Sequence, residues 1–319
     1  MHFAYPPRKS SDPPRFRPRA ARLLPTFRRS RLRLLALGFL ALVALTYIAL
    51  GRRKANVYQE RVPSGSPPVV LVTVIDPTTY DNGYLKTVRE NREKYAARHG
   101  YEAMIVKAFD YDTSGAPQSW AKIVAMRHAL SKYPDCHFVW YLDQNAYIMN
   151  MAKSLEELVL EPKTLERLMI KDFPVVPPDS IIKTFSHLRG QDADFIVSQD
   201  KESLVHTSVI VRNGEWAKYF IETWFDPLYR SYNFQKAERH ALARFDKPTL
   251  EHVVQWHPTV LSKLALVPQR TMAAYSPSKL GEAYQKGDMV VMFPECKPQT
   301  CEPESKPYLD QWRGALEQH

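Results

Sequence analysis

The stretch Val69–Ile75, VVLVTVI, constrains the fold more than any other part of the chain. Every residue in it except Leu71 is β-branched, and Thr73 is the lone polar side chain. A strand turns alternate residues to opposite faces, so a run this apolar needs cover on both faces. Asp76-Pro77 ends it with a stop signal. The residues that follow repeat the theme. Apolar positions recur at helical spacing over 84–99, with Gly100 placed to cap the helix C-terminus. A second strand is expected over 101–106, and a second helix over 120–133, stopped before Pro134. Phe138–Leu142 reads as a third strand. This order predicts parallel βαβ units and a doubly wound α/β sheet.

Further strands are expected over 194–198, 207–211 and 288–293. Helices are expected over 215–229, 236–250 and 255–266. No linker interrupts the chain after residue 69, so 69–319 reads as one domain.

In such sheets ligands bind beyond the carboxyl ends of the strands. Asp76 and Asp143 each follow a strand end, and are expected to face one crevice. Asp143 opens the tripeptide Asp143-Gln144-Asn145 within HFVWYLDQNAYIMN. Residues i and i+2 of an extended chain face the same way, so two carboxylates at this spacing flank one divalent cation. Here the second member is an amide, which offers a carbonyl oxygen without charge. A lone acid at a strand end is also a common turn or cap residue. No Gly-rich phosphate loop exists, which removes kinase and dinucleotide-binding readings.

The net charge of +10 looks like that of a nucleic-acid binder until it is located. Thirteen of 44 Lys and Arg residues lie at or before Lys54, against one acid, Asp12. The remainder is close to neutral, so no nucleic-acid partner is expected. Residues 34–50, LLALGFLALVALTYIAL, carry no charge and are expected to form a short transmembrane signal anchor. The basic residues concentrate before this run, which orients the N-terminus to the cytosol. A cleaved signal peptide is the alternative. Residues 1–33 are expected to be a disordered basic tail and 51–68 a short stem. In an oxidising lumen Cys296 and Cys301 are placed to close a small disulfide loop, with Cys136 left buried; three free thiols are the alternative.

Four blocks together resemble glycosyltransferase family 34, which includes fungal Golgi α-1,6-mannosyltransferase subunits and plant xyloglucan xylosyltransferases. They are Val72-Thr73 with KTVRENREKYAARHGY, Trp120-Ala121-Lys122 with MRHAL, HFVWYLDQNAYIMN, and WHPTVLSKLALVPQRTMAAYS with GDMVVMFPEC. The match runs over roughly 69–305 and is closer to the fungal mannosyltransferase branch. The resemblance implies a GT-A fold, a Rossmann-like mixed sheet flanked by helices. It also implies retaining transfer of mannose from GDP-mannose to an α-mannan or N-glycan acceptor, Mn²⁺, and a place beside other mannosyltransferase subunits in the Golgi membrane. The family Asp-x-Asp falls on Asp143 and Asn145, and its late metal-binding His falls on Met292. Met is a soft thioether and a poor Mn²⁺ ligand. Glu238 falls in the acceptor-side catalytic region. Lys122, Gln269 and Arg270 fall near the donor phosphates and Asp76 near the nucleoside. The two altered ligand positions leave a second expectation open, that of a weakened or inactive scaffold subunit.

Overall fold

The computed structural model describes residues 31–53, 62–231 and 246–317. The tail over 1–30, the stem over 54–61, Glu238 and most of the helix expected over 236–250 lie outside the described residues. Contacts divide the chain into a unit over 1–59 and a unit over 60–319.

The first unit holds one helix, α1 (Arg31–Arg53). Its described side chains, 34–48, are exposed. Among the described residues no helix is long and apolar enough to cross a membrane. Helix α1 stands at the place of the expected span over 34–50.

The second unit is built on a six-stranded sheet of order β2-β1-β3-β6-β5-β7. The strands are β1 (Val69–Ile75), β2 (Glu102–Lys107), β3 (Phe138–Leu142), β5 (Phe195–Gln199), β6 (Leu204–Arg212) and β7 (Leu264–Val267). β1 pairs in parallel with β2 and β3, as the βαβ pattern predicts. β6 runs antiparallel to both β3 and β5, which makes the sheet mixed. A second sheet of order β4-β9-β8 joins β4 (Ala146–Ile148), β9 (Val290–Met292) and β8 (Ala274–Tyr275).

Helices cover both faces of the larger sheet. α2 (Asn82–His99) starts at Asp81, whose carboxylate accepts from the Gly83 and Tyr84 amides, and ends at Gly100 in the left-handed region, φ 69°. Its buried stripe, which includes Tyr84, Leu85, Val88 and Tyr95, packs with Val69, Leu71, Trp140 and Leu142. α3 (Ala121–Lys132) buries Ile123, Ala125, Met126 and Ala129 with Val70, Val72, Val139 and Tyr141 on the other face. Alternate residues of β1 and β3 thus enter two separate cores, which is why those strands are apolar throughout. Each large side chain so buried contributes roughly 1.5–3 kcal/mol.

The remaining helices are α4 (Pro162–Leu168), α5 (Glu215–Trp224), α6 (Pro227–Ser231), α7 (Asp246–Trp256), α8 (Pro258–Leu261), α9 (Gln269–Met272) and α10 (Cys301–Glu317). The helix expected over 255–266 is not one element. His257-Pro258 separates α7 from α8, because proline disfavours helical backbone at the residue before it. The chain then enters β7, whose four residues are all buried. Cys296 and Cys301 are joined by a disulfide, and Cys136 is a buried free thiol.

Candidate active site

The carboxyl ends of β1 and β3 and the amino half of β6 meet at one edge, where β3 hands over to β4. The Asp143 amide donates to the Thr207 carbonyl at 2.9 Å, tying the end of β3 to β6. The Asp143 carboxylate is half-buried and accepts from the Asn145 amide at 2.9 Å and the Tyr141 hydroxyl at 3.2 Å. Burial, with the Asp143 charge beside it, holds the Tyr141 phenol well above its usual value, so it stays a donor.

Asn145 is clamped by two tyrosines. Its amide nitrogen donates to the Tyr80 hydroxyl at 2.9 Å, and its carbonyl oxygen accepts from the Tyr84 hydroxyl at 3.4 Å. Tyr80 and Tyr84 stack at 5.9 Å between ring centroids. The Gln144 side chain accepts from the Asp76 amide at 2.8 Å. Met292 pairs with Ala146 across β4 and β9, and its sulfur lies 3.9 Å from the Thr207 hydroxyl. The Phe293 amide donates to the Asn145 carbonyl at 2.9 Å. Position 292, far away in sequence, is therefore brought to the place of positions 143 and 145.

The residues present do not fit the three-ligand Mn²⁺ site that the resemblance implies. Asp143 offers the one carboxylate, Asn145 a neutral oxygen already bonded to Tyr84, and Met292 a buried thioether. Among the described residues no three His, Cys, Asp or Glu side chains are grouped to hold a metal ion.

Other expected donor contacts are occupied by protein partners. The Asp76 carboxylate accepts from the hydroxyls of Thr78 and Thr79 within its own turn. Burial alone would raise its pKa, but these hydrogen bonds outweigh it and lower the value. Lys122 is not a free phosphate contact. It is buried and pairs with the buried Asp246 at 2.8 Å, with His206 3.6 Å from the same carboxylate oxygen. Burial, reinforced by the Lys122 charge, lowers the His206 pKa to about 3, so this imidazole is neutral. Gln269 is buried and spans the Ala273 carbonyl and the Glu282 amide. Arg270 forms a two-pronged ion pair with Asp288 at 2.9 and 2.8 Å. Both side chains are spent on loop structure rather than on the crevice. Glu238 lies outside the described residues.

Sequence reasoning passed over Tyr80, Tyr84, Tyr141, Thr207 and Asp246. Their roles come from contacts between remote segments, and only the Tyr141–Asp143 pair carries a local signal, the i, i+2 spacing on β3. A cavity of 390 Å³ lined by Arg127, Leu130, Asn213 and Glu222 lies at the opposite edge, beyond the carboxyl end of β6. Arg127 pairs there with Glu222 at 3.0 Å, so this cavity has no part in the site.

Residues 65–302 match the galactosyl transferase GMA12/MNN10 family. This chain belongs to that family. An uncharacterized α-1,2-galactosyltransferase of Schizosaccharomyces pombe is 30% identical over 74% of this chain and 72% of its own length. A second from the same yeast is 33% identical over 69% of this chain and 58% of its own. The probable α-1,6-mannosyltransferase MNN11 of Saccharomyces cerevisiae is 27% identical over 74% of this chain and 60% of its own. The chain thus matches little more than half of two of these relatives. The crystal structure of a glycosyltransferase involved in the glycosylation of the major capsid of PBCV-1 superposes with a TM-score of 0.52 at 11% identity. It covers 76% of this chain and 100% of that one, and shows the fold alone. Membership of the GMA12/MNN10 family makes this chain a glycosyltransferase of hexoses.

Proposed function

We propose that this family member transfers mannose from GDP-mannose to an α-mannan or N-glycan acceptor. The link formed is α-1,6 with retained configuration, and the chain works among other mannosyltransferase subunits. The observation that carries the reading is the convergence of Asp143, Asn145 and Met292 at the carboxyl ends of β1 and β3. A ligand in that crevice meets the Asp143 carboxylate, tyrosine hydroxyls and the amide of Asn145. Asp143 orients the donor, while the paired tyrosines hold Asn145 against its sugar-phosphate end. The expected Mn²⁺ would find a single anionic ligand, so donor binding depends on it weakly.

The basic residues before the apolar helix α1 support a type II Golgi membrane address for the transferase unit. Asn145 and Met292 favour a second reading, in which the chain binds donor or glycan while a partner subunit turns over.

The test is transfer by the purified full chain. GDP-mannose and UDP-galactose are each supplied with α-mannose oligosaccharides, with and without Mn²⁺, and products are read by mass spectrometry and linkage analysis. The reading predicts an α-1,6-mannosylated product. Galactosylated product alone would change the donor. Tight GDP binding without product would favour the second reading, and no binding of any nucleotide sugar would sink both.

A further inference from the structure

The conspicuous polar pair Asn91-Arg92 sits in the apolar stripe of α2, about one turn from Val88, Tyr95 and Ala96. Both residues are completely buried. The Asn91 amide bonds both backbone groups of Ile148 at 2.9 Å, so α2 grips the end of β4. Arg92 grips the turn before it. One guanidinium nitrogen donates to the carbonyl oxygens of Asp143 and Ala146, each at 2.9 Å. The other terminal nitrogen donates to Asn91, and Nε donates to the Thr73 hydroxyl at 3.3 Å. That hydroxyl passes the contact on to the Leu142 carbonyl at 2.9 Å.

The two carbonyls bracket Gln144 and Asn145, so one guanidinium fixes the turn that carries every crevice side chain of that segment. Among the described residues no carboxylate oxygen is a hydrogen-bond partner of Arg92. Burial lowers its pKa to about 10, and it stays charged at neutral pH. A charge buried among neutral oxygens is costly even with the Asp143 carboxylate acting on it from a distance, and an apolar side chain of similar size would fill the space without that cost. Packing alone does not account for it. Its charge lies one backbone layer beneath the crevice, in surroundings that screen it poorly.

We propose that Arg92 is a positioning residue of the transferase site that sets the Asp143–Ala146 turn and places a fixed positive charge under the donor diphosphate. The inference rests on the reading of the crevice as a nucleotide-sugar site. On that reading the crevice keeps a positive charge where the expected metal ligands are depleted.

The test compares the full-length wild type with Arg92→Lys, Arg92→Met and Leu130→Ala, the last a core truncation on α3 remote from the crevice. Melting temperature, GDP affinity and the separate kcat and KM for donor are measured. Arg92→Lys keeps the charge and loses the fork. It is expected to bind GDP within about threefold of wild type while kcat falls about 100-fold, the scale of a small misplacement at the reacting centre. Arg92→Met loses the charge too, and GDP affinity is expected to fall at least about tenfold further. If Arg92→Met does not fold, Arg92→Lys decides. The proposal is overturned if Arg92→Lys turns over like wild type. It is equally overturned if its kcat loss is no larger than that of Leu130→Ala at a matched drop in melting temperature. A wild type that binds GDP beside variants that bind and react equally well overturns the role of Arg92 alone. A wild type that binds no nucleotide overturns this proposal and the functional reading together.

Discussion

Two buried cations flank the strand that leads into Asp143, and the fold treats them oppositely. On the α3 face Lys122 meets the Asp246 carboxylate at 2.8 Å and its ring neighbour Tyr141 at 5.6 Å. On the α2 face Arg92 meets carbonyls, an amide oxygen and a hydroxyl. An ion pair cancels most of its own field a short distance away. A guanidinium hydrogen-bonded to dipoles is offset less completely, here by the Asp143 carboxylate that acts on it without touching it. The compact ammonium suits a single counter-ion, whereas the planar fork suits several oxygens at once. Asp143 is where the two faces meet. Its carbonyl takes Arg92, and its carboxylate takes the hydroxyl of Tyr141, whose ring lies under Lys122. The α3 face therefore holds structure by neutralisation, and the α2 face shapes the electrostatics of the crevice.

The largest expected effect breaks the neutral side. Lys122→Met leaves the Asp246 carboxylate buried without its counter-ion, and unfolding free energy is expected to fall by about 3–5 kcal/mol. Lys122→Met combined with Asp246→Leu removes both charges and is expected to recover most of that loss. Urea melts of the three proteins check it. A double variant no more stable than the single one would mean that the pair anchors more than itself.

Next in size is the junction. Asp143→Asn keeps an acceptor for the Tyr141 hydroxyl and the Asn145 amide, so stability is expected to change by less than about 1 kcal/mol. Turnover is expected to fall about 10²–10³-fold, because the crevice loses the carboxylate of Asp143. Initial-rate kinetics beside a thermal melt separate the two. Full activity in this variant would remove Asp143 from the reaction.

A smaller effect distinguishes the faces by pH. His206 faces Lys122, Asp246 and Lys247, and keeps 20% of its side chain exposed. Burial and Lys122 hold it neutral down to about 3. The unfolded chain protonates this residue near 6.5, so between about pH 6.5 and 3 the unfolded state binds the extra proton. Stability then falls as pH falls, by on the order of 1 kcal/mol per pH unit below 6 from this residue. Asp246 adds to the loss lower down, since its depressed folded pKa makes its share disappear only as pH falls below the ordinary carboxylate value. His206→Gln is expected to flatten the wild-type slope between pH 6 and 4 in chemical denaturation. Arg92 contributes nothing there, because its proton leaves near 10. An unchanged slope in His206→Gln would show that the α3 face does not titrate in this window.

The apolar strands were legible because burial on two faces leaves no room for ambiguity. β1 and β3 fall on the expected residues, Val69–Ile75 and Phe138–Leu142. The short β4, β8 and β9 have two or three residues each, too few for any period to show. α10 was hidden by its prolines. Pro303 is tolerated in the first turn, and Pro307 lies inside a helix held by the buried Trp312. In the site, the strand-end acid announced itself, but the fates of Lys122, Arg270 and Asp76 did not. A side chain's partner is a tertiary fact, and each of these has a carboxylate or hydroxyl of the chain itself as its partner. Arg92 did leave a trace, an arginine on the apolar stripe of α2 where a leucine is the ordinary choice.

Arg270 gives the smallest and sharpest contrast with the two buried cations. Its guanidinium is bound two-pronged to Asp288, whose carboxylate also accepts from the Gln285 amide at 2.8 Å. The pair is partly open to solvent, with the arginine side chain 34% exposed. Solvent screens such a pair, so its contribution is small. Arg270→Gln is therefore expected to leave stability nearly unchanged. Because the guanidinium is committed to the loop over 285–288, donor KM is expected to stay within about twofold of wild type, well short of the tenfold that 1.4 kcal/mol of lost contact would produce. Donor titration of this variant beside Arg92→Lys compares an arginine that holds a loop with one that serves the crevice. A large rise in KM on replacing Arg270 would mean that donor binding breaks its bond to Asp288 and turns it inward, and the crevice would then contain a cation that the ligand itself recruits.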